Sequence, residues 1–258
     1  MCVLRFFFFF FLLLTVFAGA QESDERSEVD DERPEFIIVD RPSFANGSAV
    51  VGNGVRSLES GVLVTRNRGS SDVLTQTPLL FRAGTADDLE FRFASSGLNF
   101  QSSQVGWADL SPGFKWRFLD EEGAKVSMIT SLTVPVGSRA FRNDSLAGSL
   151  SFAADFPVSD GGGILINLGA SSTGTLRTDV IQPFFTVGYS QSVDDDSSLY
   201  FEAATFGPDS PGAPSTVAGD IVFAHRFNPN LHFDVAVFKG FSSYGLDWAV
   251  TTGFATRF

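Results

Sequence analysis

The sequence predicts an all-β protein, an antiparallel transmembrane β-barrel of about twelve strands, and three observations support this fold class. From Gly54 onward the chain divides into segments of about ten residues in which apolar and polar side chains alternate. Short and long connections between these segments also alternate along the chain. The last segment, residues 245–258, carries its apolar side chains on one parity and ends on Phe258. Such alternation gives a strand one apolar and one polar face.

Each predicted strand is long enough to cross a bilayer, because a tilted strand does so in roughly 9–11 residues. The predicted strands are residues 54–66, 74–84, 88–97, 107–119, 124–136, 147–157, 162–171, 180–191, 197–206, 216–227, 230–239 and 245–258. An even number of antiparallel strands closes a barrel with both termini on one side. Closure is required because lipid offers no partners to the backbone of an open sheet edge.

The connections separate a membrane barrel from a soluble β-sandwich. Parity alone does not, because a sandwich also alternates its side chains as this chain does where Leu89, Phe91 and Phe93 alternate with Glu90 and Arg92. Tight connections such as 120–123 alternate with longer ones such as 98–106 and 207–215. Short periplasmic turns opposite longer outer loops are typical of membrane barrels, whereas a sandwich has no reason to show this asymmetry.

The amino-terminal region precedes the barrel in three parts. The predicted organisation is a signal peptide at 1–20, an acidic disordered tail at 21–35, an extended lead-in or periplasmic plug segment at 36–53 and the barrel at 54–258. A membrane anchor is the alternative for the first part, but its apolar run of about a dozen residues is shorter than the roughly 20 that span a bilayer. The alternative for the acidic tail is docking on a basic partner. Cys2 precedes the apolar run, so the processed chain has no cysteine and therefore no disulfide or thiolate site.

Composition narrows the class of partner. The formal net charge of −12 argues against nucleic acid, which binds basic surfaces. No later segment has 18 consecutive apolar residues, so no spanning helix is predicted for the processed chain. A chain with 29 phenylalanines needs somewhere to place them, and the lipid-facing side of a barrel provides that place.

Charged side chains share the inward parity of the predicted strands, since Arg or Lys on the lipid face costs roughly 2–4 kcal/mol at the midplane. The predicted pore-lining residues are Glu59, Arg82, Glu90, Arg92, Lys115, Arg117, Glu202 and Asp234. Both signs are present, which leaves two interpretations open. The residues line a polar pathway for solutes, or they pair with one another and narrow or close the lumen.

Catalytic and metal sites are not predicted. A nucleophilic triad needs a histidine, and the only two are His225 and His232, neither with a serine that stands out nearby. Two histidines without cysteine make a transition-metal site improbable. The acidic run 194–196 is better explained as a solvated turn than as a site for a hard cation. We therefore expect no enzyme activity, no metal and no cofactor.

Several short motifs, in order and spacing, resemble an outer-membrane transporter family associated with the meta-pathway of phenol degradation. The matching segments are 40–44, Gly54, 58–61, 77–84, 89–92, 109–110, 113–115 and 132–137. One departure is Ala83, which stands where an aromatic residue is common in that family. The resemblance implies an outer-membrane channel, and it identifies no catalytic residue and no particular substrate. Beyond residue 137 the resemblance is mainly architectural.

The sequence thus predicts a bacterial outer-membrane channel that passes a small solute by passive diffusion, with aromatic or other apolar compounds as one solute class. The hypothesised gates are the outer loops and residues 36–50. The alternatives are a closed structural or adhesive barrel and a barrel enzyme acting on lipids. Expected partners are outer-membrane lipid and lipopolysaccharide, the barrel-assembly machinery through the final strand ending in Phe258, and the solute.

Overall fold

The alternating segments form antiparallel strands in the computed structural model, which describes residues 36–175 and 180–258. The strands are β1 (Arg56–Asn67), β2 (Val73–Gln76), β3 (Leu79–Ala86), β4 (Leu89–Ser95), β5 (Leu98–Gln101), β6 (Gln104–Trp107), β7 (Ser111–Glu121), β8 (Ala124–Thr133), β9 (Ala147–Ser159), β10 (Gly162–Ser172), β11 (Ile181–Ser192), β12 (Ser197–Phe206), β13 (Thr216–Asn228), β14 (Leu231–Gly240) and β15 (Leu246–Arg257). No helix long and apolar enough to cross a membrane occurs in the described ranges. The predicted signal peptide and acidic tail lie outside the described residues.

Pairing of the first strand with the last closes the sheet into a barrel. Neighbouring strands follow one another from β15 back to β1, and β1 also pairs with β15. In this closing pair Gly61 lies opposite Gly253. The carboxy-terminal residue extends the seam, since Phe258 N donates to Arg56 O over 3.0 Å. The predicted fold class, a closed antiparallel barrel of twelve strands, is confirmed.

Three of the twelve strands are interrupted near one end of the barrel, and each is therefore divided in two: β2 and β3, β4 and β5, and β6 and β7. β2 and β3 both pair with β1 and are separated by Thr77 and Pro78, and proline cannot donate to a sheet ladder. Gly97, with φ of 70°, separates β4 from β5. The expectation of a loop at 98–106 is wrong, because β5 and β6 form a hairpin there that pairs with β2. The alternation within this hairpin is only four residues per strand, too short to stand out in the sequence.

The two faces of the wall meet different surroundings, as the parity predicts. Outward side chains are apolar and exposed: Phe91, Leu168 and Val237 have exposed fractions of 47%, 59% and 55%. Inward side chains are buried, with Glu90 and Ala153 both at 0%. A continuous apolar outer surface of this kind is stable in hydrocarbon rather than in water.

The connections define two ends of the barrel. The tight-turn end holds the short connections after β3, β7, β9, β11 and β13, together with both ends of the barrel chain. The long-loop end holds the connections after β1, β8, β10, β12 and β14, of which 134–146 is the longest described in full.

The lead-in segment, residues 36–53, forms no strand and lies against inward side chains. Near its start, Ile37 N donates to Pro229 O over 2.9 Å at the tight-turn end. Just after its end, Gly54 N donates to Gly84 O over 3.1 Å at the same end. Between these points it hydrogen-bonds to side chains of many strands, as described below. The lead-in segment therefore enters the barrel from the tight-turn end and returns to it.

Candidate functional site in the barrel lumen

Six charged side chains form one ion-paired group in the lumen, which we call the charge cluster. Its members are Asp40 of the lead-in segment, Glu59 of β1, Arg82 of β3, Glu90 and Arg92 of β4, and Lys115 of β7. Arg82 Nε donates to Glu90 Oε1 over 2.8 Å, and its Nη1 donates to Glu59 Oε1 over 3.1 Å. Lys115 Nζ donates to Asp40 Oδ2 over 2.9 Å, and Arg92 Nη1 donates to the same oxygen. Three cations thus face three carboxylates.

Strand register places these charges side by side. Glu90 lies directly opposite Lys115, and Arg82 lies opposite Arg92. Two like charges facing one another across strands destabilise a sheet. Here Glu90 accepts hydrogen bonds from both arginines, which offsets their repulsion. The arrangement therefore depends on the Glu90 carboxyl group, which bridges the two arginines.

Asp40 links the charge cluster to the lead-in segment. Burial would raise the pKa of the Asp40 carboxyl, but the positive charges of Arg82, Lys115 and Arg92 outweigh it and hold that pKa well below its ordinary value. Arg82 also donates to the lead-in backbone, at Ile38 O over 2.8 Å. The cluster is thus an attachment point for the segment as well as part of the wall.

Inward carboxylates and an amide also accept the backbone N–H groups of the lead-in segment. The contacts are Arg41 N to Glu59 (3.0 Å), Phe44 N to Asp220 (3.3 Å), Ala45 N to Glu202 (2.8 Å), Asn46 N to Asn167 (2.6 Å), Ser48 N to Asp155 (2.8 Å) and Val51 N to Glu90 (2.8 Å). A buried backbone N–H without a partner costs free energy comparable to a lost hydrogen bond. Because these side chains satisfy it, the segment stays in the lumen without belonging to the sheet.

Arg41 contacts the wall at the seam that closes the barrel, beside the strand that carries Glu59. Its Nη2 donates to Asp234 Oδ1 over 3.1 Å and to Thr251 Oγ1 over 3.0 Å. The guanidinium occupies a niche left by Gly61 and Gly253, where an added Cβ would lie 2.2 and 2.3 Å from Arg41 Nη1. Arg41 Nε and Nη1 are buried without a hydrogen-bond partner among the described residues. Nη2 of this guanidinium is therefore hydrogen-bonded to the wall, whereas Nε and Nη1 have no partner among the described residues.

One cavity lies on each side of the lead-in segment. One of about 680 Å³ lies at the tight-turn end and contacts the 194–196 turn, Asp155 and His232. Another of about 400 Å³ lies toward the long-loop end and contacts Leu63, Pro78 and Leu246. Both cavities are bounded by residues 41–43 of the lead-in segment. These three residues separate two spaces that together extend along the lumen.

The eight predicted pore-lining residues divide into three groups. Five of them, Glu59, Arg82, Glu90, Arg92 and Lys115, join the charge cluster. Glu202 and Asp234 are also buried inside, where each contacts the lead-in segment. Arg117 does not join them: it lies near the tight-turn end, pairs with exposed Asp120 over 3.1 Å, and is partly exposed. Whether any of the eight lines a solute path stays a prediction.

Sequence reasoning missed Asp40 and Arg41 as site residues. A signal for Asp40 was available, because the predicted inward charges of the cluster's four strands comprise more cations than carboxylates. An excess of buried positive charge requires a further acid. No comparable signal marks Arg41, since its partners Asp234 and Thr251 are 193 and 210 residues away in the chain.

The histidines are placed differently from what a triad requires. No serine stands out beside a histidine in the sequence, but the structure places Ser197 Oγ 3.0 Å from His225 Nδ1. The two residues are directly opposite one another in β12 and β13. The Asp194 carboxyl accepts hydrogen bonds from the Asp196 N–H and from this serine, and not from the imidazole. Both bonds lower the pKa of the Asp194 carboxyl, and the bond from Asp196 lowers it more. A catalytic carboxylate would instead orient the histidine ring. Across the described ranges, no group of three potential ligands could hold a metal ion.

Comparisons with known proteins match both the chain and the fold. The family model described as "Putative MetA-pathway of phenol degradation" matches residues 39–258. No curated protein matches the chain. The COG4313 outer membrane channel from Pseudomonas putida F1 is similar in structure, with a TM-score of 0.64, 12% identity, and coverage of 82% of this chain and 98% of that chain. The KdgM porin is similar with a TM-score of 0.57, 10% identity, and coverage of 78% and 99%. At such identities the likeness establishes the fold alone.

Proposed function

This chain belongs to the MetA-pathway family of phenol degradation and is a β-barrel of the bacterial outer membrane, and on that premise we propose that it is a passive channel for small solutes. The observation that carries the proposal is the pair of cavities toward the two ends of the lumen, which have residues 41–43 as a common boundary. A barrel built only for structure has no need of two such spaces. Displacement of that short stretch would join them.

The lining of the cavity near the long-loop end favours apolar solutes. Apolar side chains make up most of its wall: Pro42, Phe44, Leu63, Pro78, Leu79, Leu80, Phe238, Leu246 and Ala249. Its polar residues are Asp40, Arg41, Ser43, Glu59, Thr65 and Thr251. Apolar walls with a few polar groups are the usual chemistry of small-molecule sites, and a volume of about 400 Å³ accommodates a single aromatic ring. We therefore assign small aromatic or other apolar compounds as the solute class, in keeping with the family's association with phenol degradation.

The lead-in segment is the gate in this proposal. The charge cluster holds it at Asp40, and Phe44 packs edge-on against Phe206 and Phe238 with ring centroids 5.7 and 5.0 Å apart. Between these two points the Arg41 side chain makes only two hydrogen bonds, both from Nη2, and the Arg41 backbone N–H donates to Glu59. Movement of residues 41–43 therefore requires breaking far fewer contacts than removal of the whole segment.

Conductance of the purified protein in planar bilayers, together with phenol flux into vesicles, tests the proposal. We expect Arg41→Gln to raise single-channel conductance and phenol flux several-fold, because the neutral side chain loses its bond to the Asp234 carboxylate. Arg117→Gln is the matched control, since it removes the same charge outside the cluster and is expected to change neither. Absence of current and flux in both wild type and Arg41→Gln would overturn the channel and favour a closed structural barrel.

Lipid hydrolysis is not part of this proposal. The Ser197 hydroxyl is buried and lies between His225 and Asp194, so it is not presented to a lipid ester. We propose that this pair stabilises the 193–196 turn instead. Hydrolysis of phospholipid that is lost in Ser197→Ala would contradict this assignment.

A further inference from the structure

A row of three outward side chains crosses the closing seam at the long-loop end. Arg66 of β1 lies directly opposite Trp248 of β15, and Trp248 lies directly opposite Lys239 of β14. All three have the outward parity of their strands, and Arg66 and Lys239 are exposed. Register therefore places one aromatic ring between two cations on the outer face of the barrel.

This row lies at the boundary of the apolar outer surface. The next outward row toward the middle of the barrel consists of Val64, Val250 and Val237, paired in the same order across the same strands. Val250 and Val237 have exposed fractions of 40% and 55%. A change from valine to tryptophan and cations within one row is the pattern expected where hydrocarbon gives way to headgroups.

A third cation adds to the row, and one carboxylate contacts two of the three. Arg68 lies in the connection after β1, where its Nη2 donates to Gly240 O over 2.8 Å. Asp247 Oδ1 lies 2.8 Å from Lys239 Nζ and 3.8 Å from Arg68 Nη1. The Lys239 side chain stays 53% exposed despite this contact. The group thus carries a positive surplus on a chain whose net charge is −12.

We infer that Arg66, Arg68, Lys239 and Trp248 bind a phosphate group of the phosphorylated glycolipid in the outer leaflet. The long-loop end faces that leaflet, because outer-membrane barrels have their longer loops outside. Guanidinium groups form paired hydrogen bonds with phosphate oxygens, and a lysine adds a point charge. A membrane lipid fits better than a soluble phosphate compound, because the cations stand beside an interfacial tryptophan and above lipid-facing valines. This inference depends on the outer-membrane location and not on whether the lumen conducts.

Binding of lipid A to the purified, folded protein in detergent tests the inference, with native mass spectrometry as the readout. Lipid A with both phosphates is expected to remain bound, whereas the same glycolipid stripped of phosphate is expected to bind at least about tenfold more weakly. Inorganic phosphate alone is expected to displace little of the lipid. Equal binding of the two glycolipids would overturn the inference, and so would complete displacement by inorganic phosphate.

A pair of variants locates the site on the surface. Arg66→Gln with Lys239→Gln is expected to weaken binding of the phosphorylated lipid A at least about tenfold, because each cation near the surface contributes to attraction of an anionic lipid. Arg139→Gln with Arg142→Gln removes the same charge from the 134–146 loop at the same end and is expected to leave binding unchanged. Folding of each variant is checked by its heat-dependent mobility in gels. Equal loss in both pairs would show nonspecific attraction and overturn the assigned site.

Discussion

Arg41 is one of the three residues that bound both cavities of the lumen. Its Nη2 is bonded to Asp234 and Thr251, while its Nε and Nη1 are buried without partners. An unpaired buried donor costs about 1–3 kcal/mol. The closed arrangement is therefore less stable than its contacts alone suggest, and release of Arg41 into water would recover that cost. This balance suits a gate that opens and closes.

Asp40 has the opposite character, because its carboxylate contacts three cations and its backbone N–H donates to Glu59. We expect Asp40→Asn to lower the free energy of unfolding by about 3–5 kcal/mol, since it leaves buried positive charge uncompensated. Urea unfolding in lipid vesicles, followed by tryptophan fluorescence, measures the change. Asp120→Asn is the control, because Asp120 is 40% exposed in its pairs with Arg117 and Lys125, and a change below about 1 kcal/mol is expected there. Similar losses in both variants would contradict the role of the charge cluster.

The pKa of Asp40 also predicts how this difference depends on pH. Its folded-state pKa is held below the unfolded value of about 3.9, so its contribution is fully present above that value and is lost as the pH falls through the folded pKa. We expect the stability difference between wild type and Asp40→Asn to be constant from about pH 8 to about pH 5 and to shrink only below about pH 4. Unfolding curves at several pH values measure it. A difference already halved at pH 5 would mean that the cations do not hold Asp40 ionised.

At the scale of elements, the wall and the lead-in segment are held by different bonds. Strands pair backbone to backbone, whereas the segment's N–H groups bond to side chains of β1, β4, β9, β10, β12 and β13. Proteins open locally, without global unfolding, where a region makes few buried contacts. We therefore expect the lead-in segment, rather than the barrel wall, to be the part that rearranges.

The final strand offers a second element-scale prediction, on assembly. Phe258 pairs with Arg56 through its backbone, while its side chain is 60% exposed. We therefore expect Phe258→Ala to refold in vitro with a stability change within about 0.5 kcal/mol, but to reach the outer membrane in cells at a several-fold lower level. Phe241→Ala, at a residue with 66% exposure at the long-loop end, is the control. Equal membrane levels of the two variants would contradict a role for Phe258 in assembly.

At the scale of the whole molecule, charge is distributed unevenly around the lumen. The charge cluster balances its three cations and three carboxylates on β1, β3, β4, β7 and the lead-in segment. On the far side Asp155, Glu202 and Asp220 each keep one buried oxygen without a hydrogen-bond partner among the described residues. Small side chains such as Ala204, Ala218 and Ala236 stand beside them. A solute path on that side would pass these acidic side chains.

This asymmetry predicts that an open lumen prefers cations. In the Arg41→Gln background, we expect the reversal potential in a KCl gradient to shift toward that of potassium, because uncompensated carboxylates attract cations. Adding Glu202→Gln and Asp220→Asn is expected to reduce the shift. Adding Asp120→Asn, which removes an exposed acid at the tight-turn end, is expected to have no effect. Anion preference in the Arg41→Gln channel would contradict the proposed path.

The sequence by itself determined the barrel and the orientation of its side chains. The twelve strands and the burial of residues such as Glu59 and Arg92 follow from an alternation that is read within a few residues. The physical reason is local, because successive side chains of a strand face opposite sides and charge is costly in lipid. The family resemblance, the outer-membrane location and the fold class are confirmed on this basis.

Only the tertiary structure decided which of the buried groups meet. The attachment of Asp40 to Lys115, the contact of Arg41 with Asp234 and the separation of two cavities depend on the path of a segment that has no periodicity. Register between strands, and not the order of residues within one, placed Ser197 beside His225 and Arg66 beside Trp248. Contacts between residues far apart in the chain require closure of the barrel, and no local pattern encodes them.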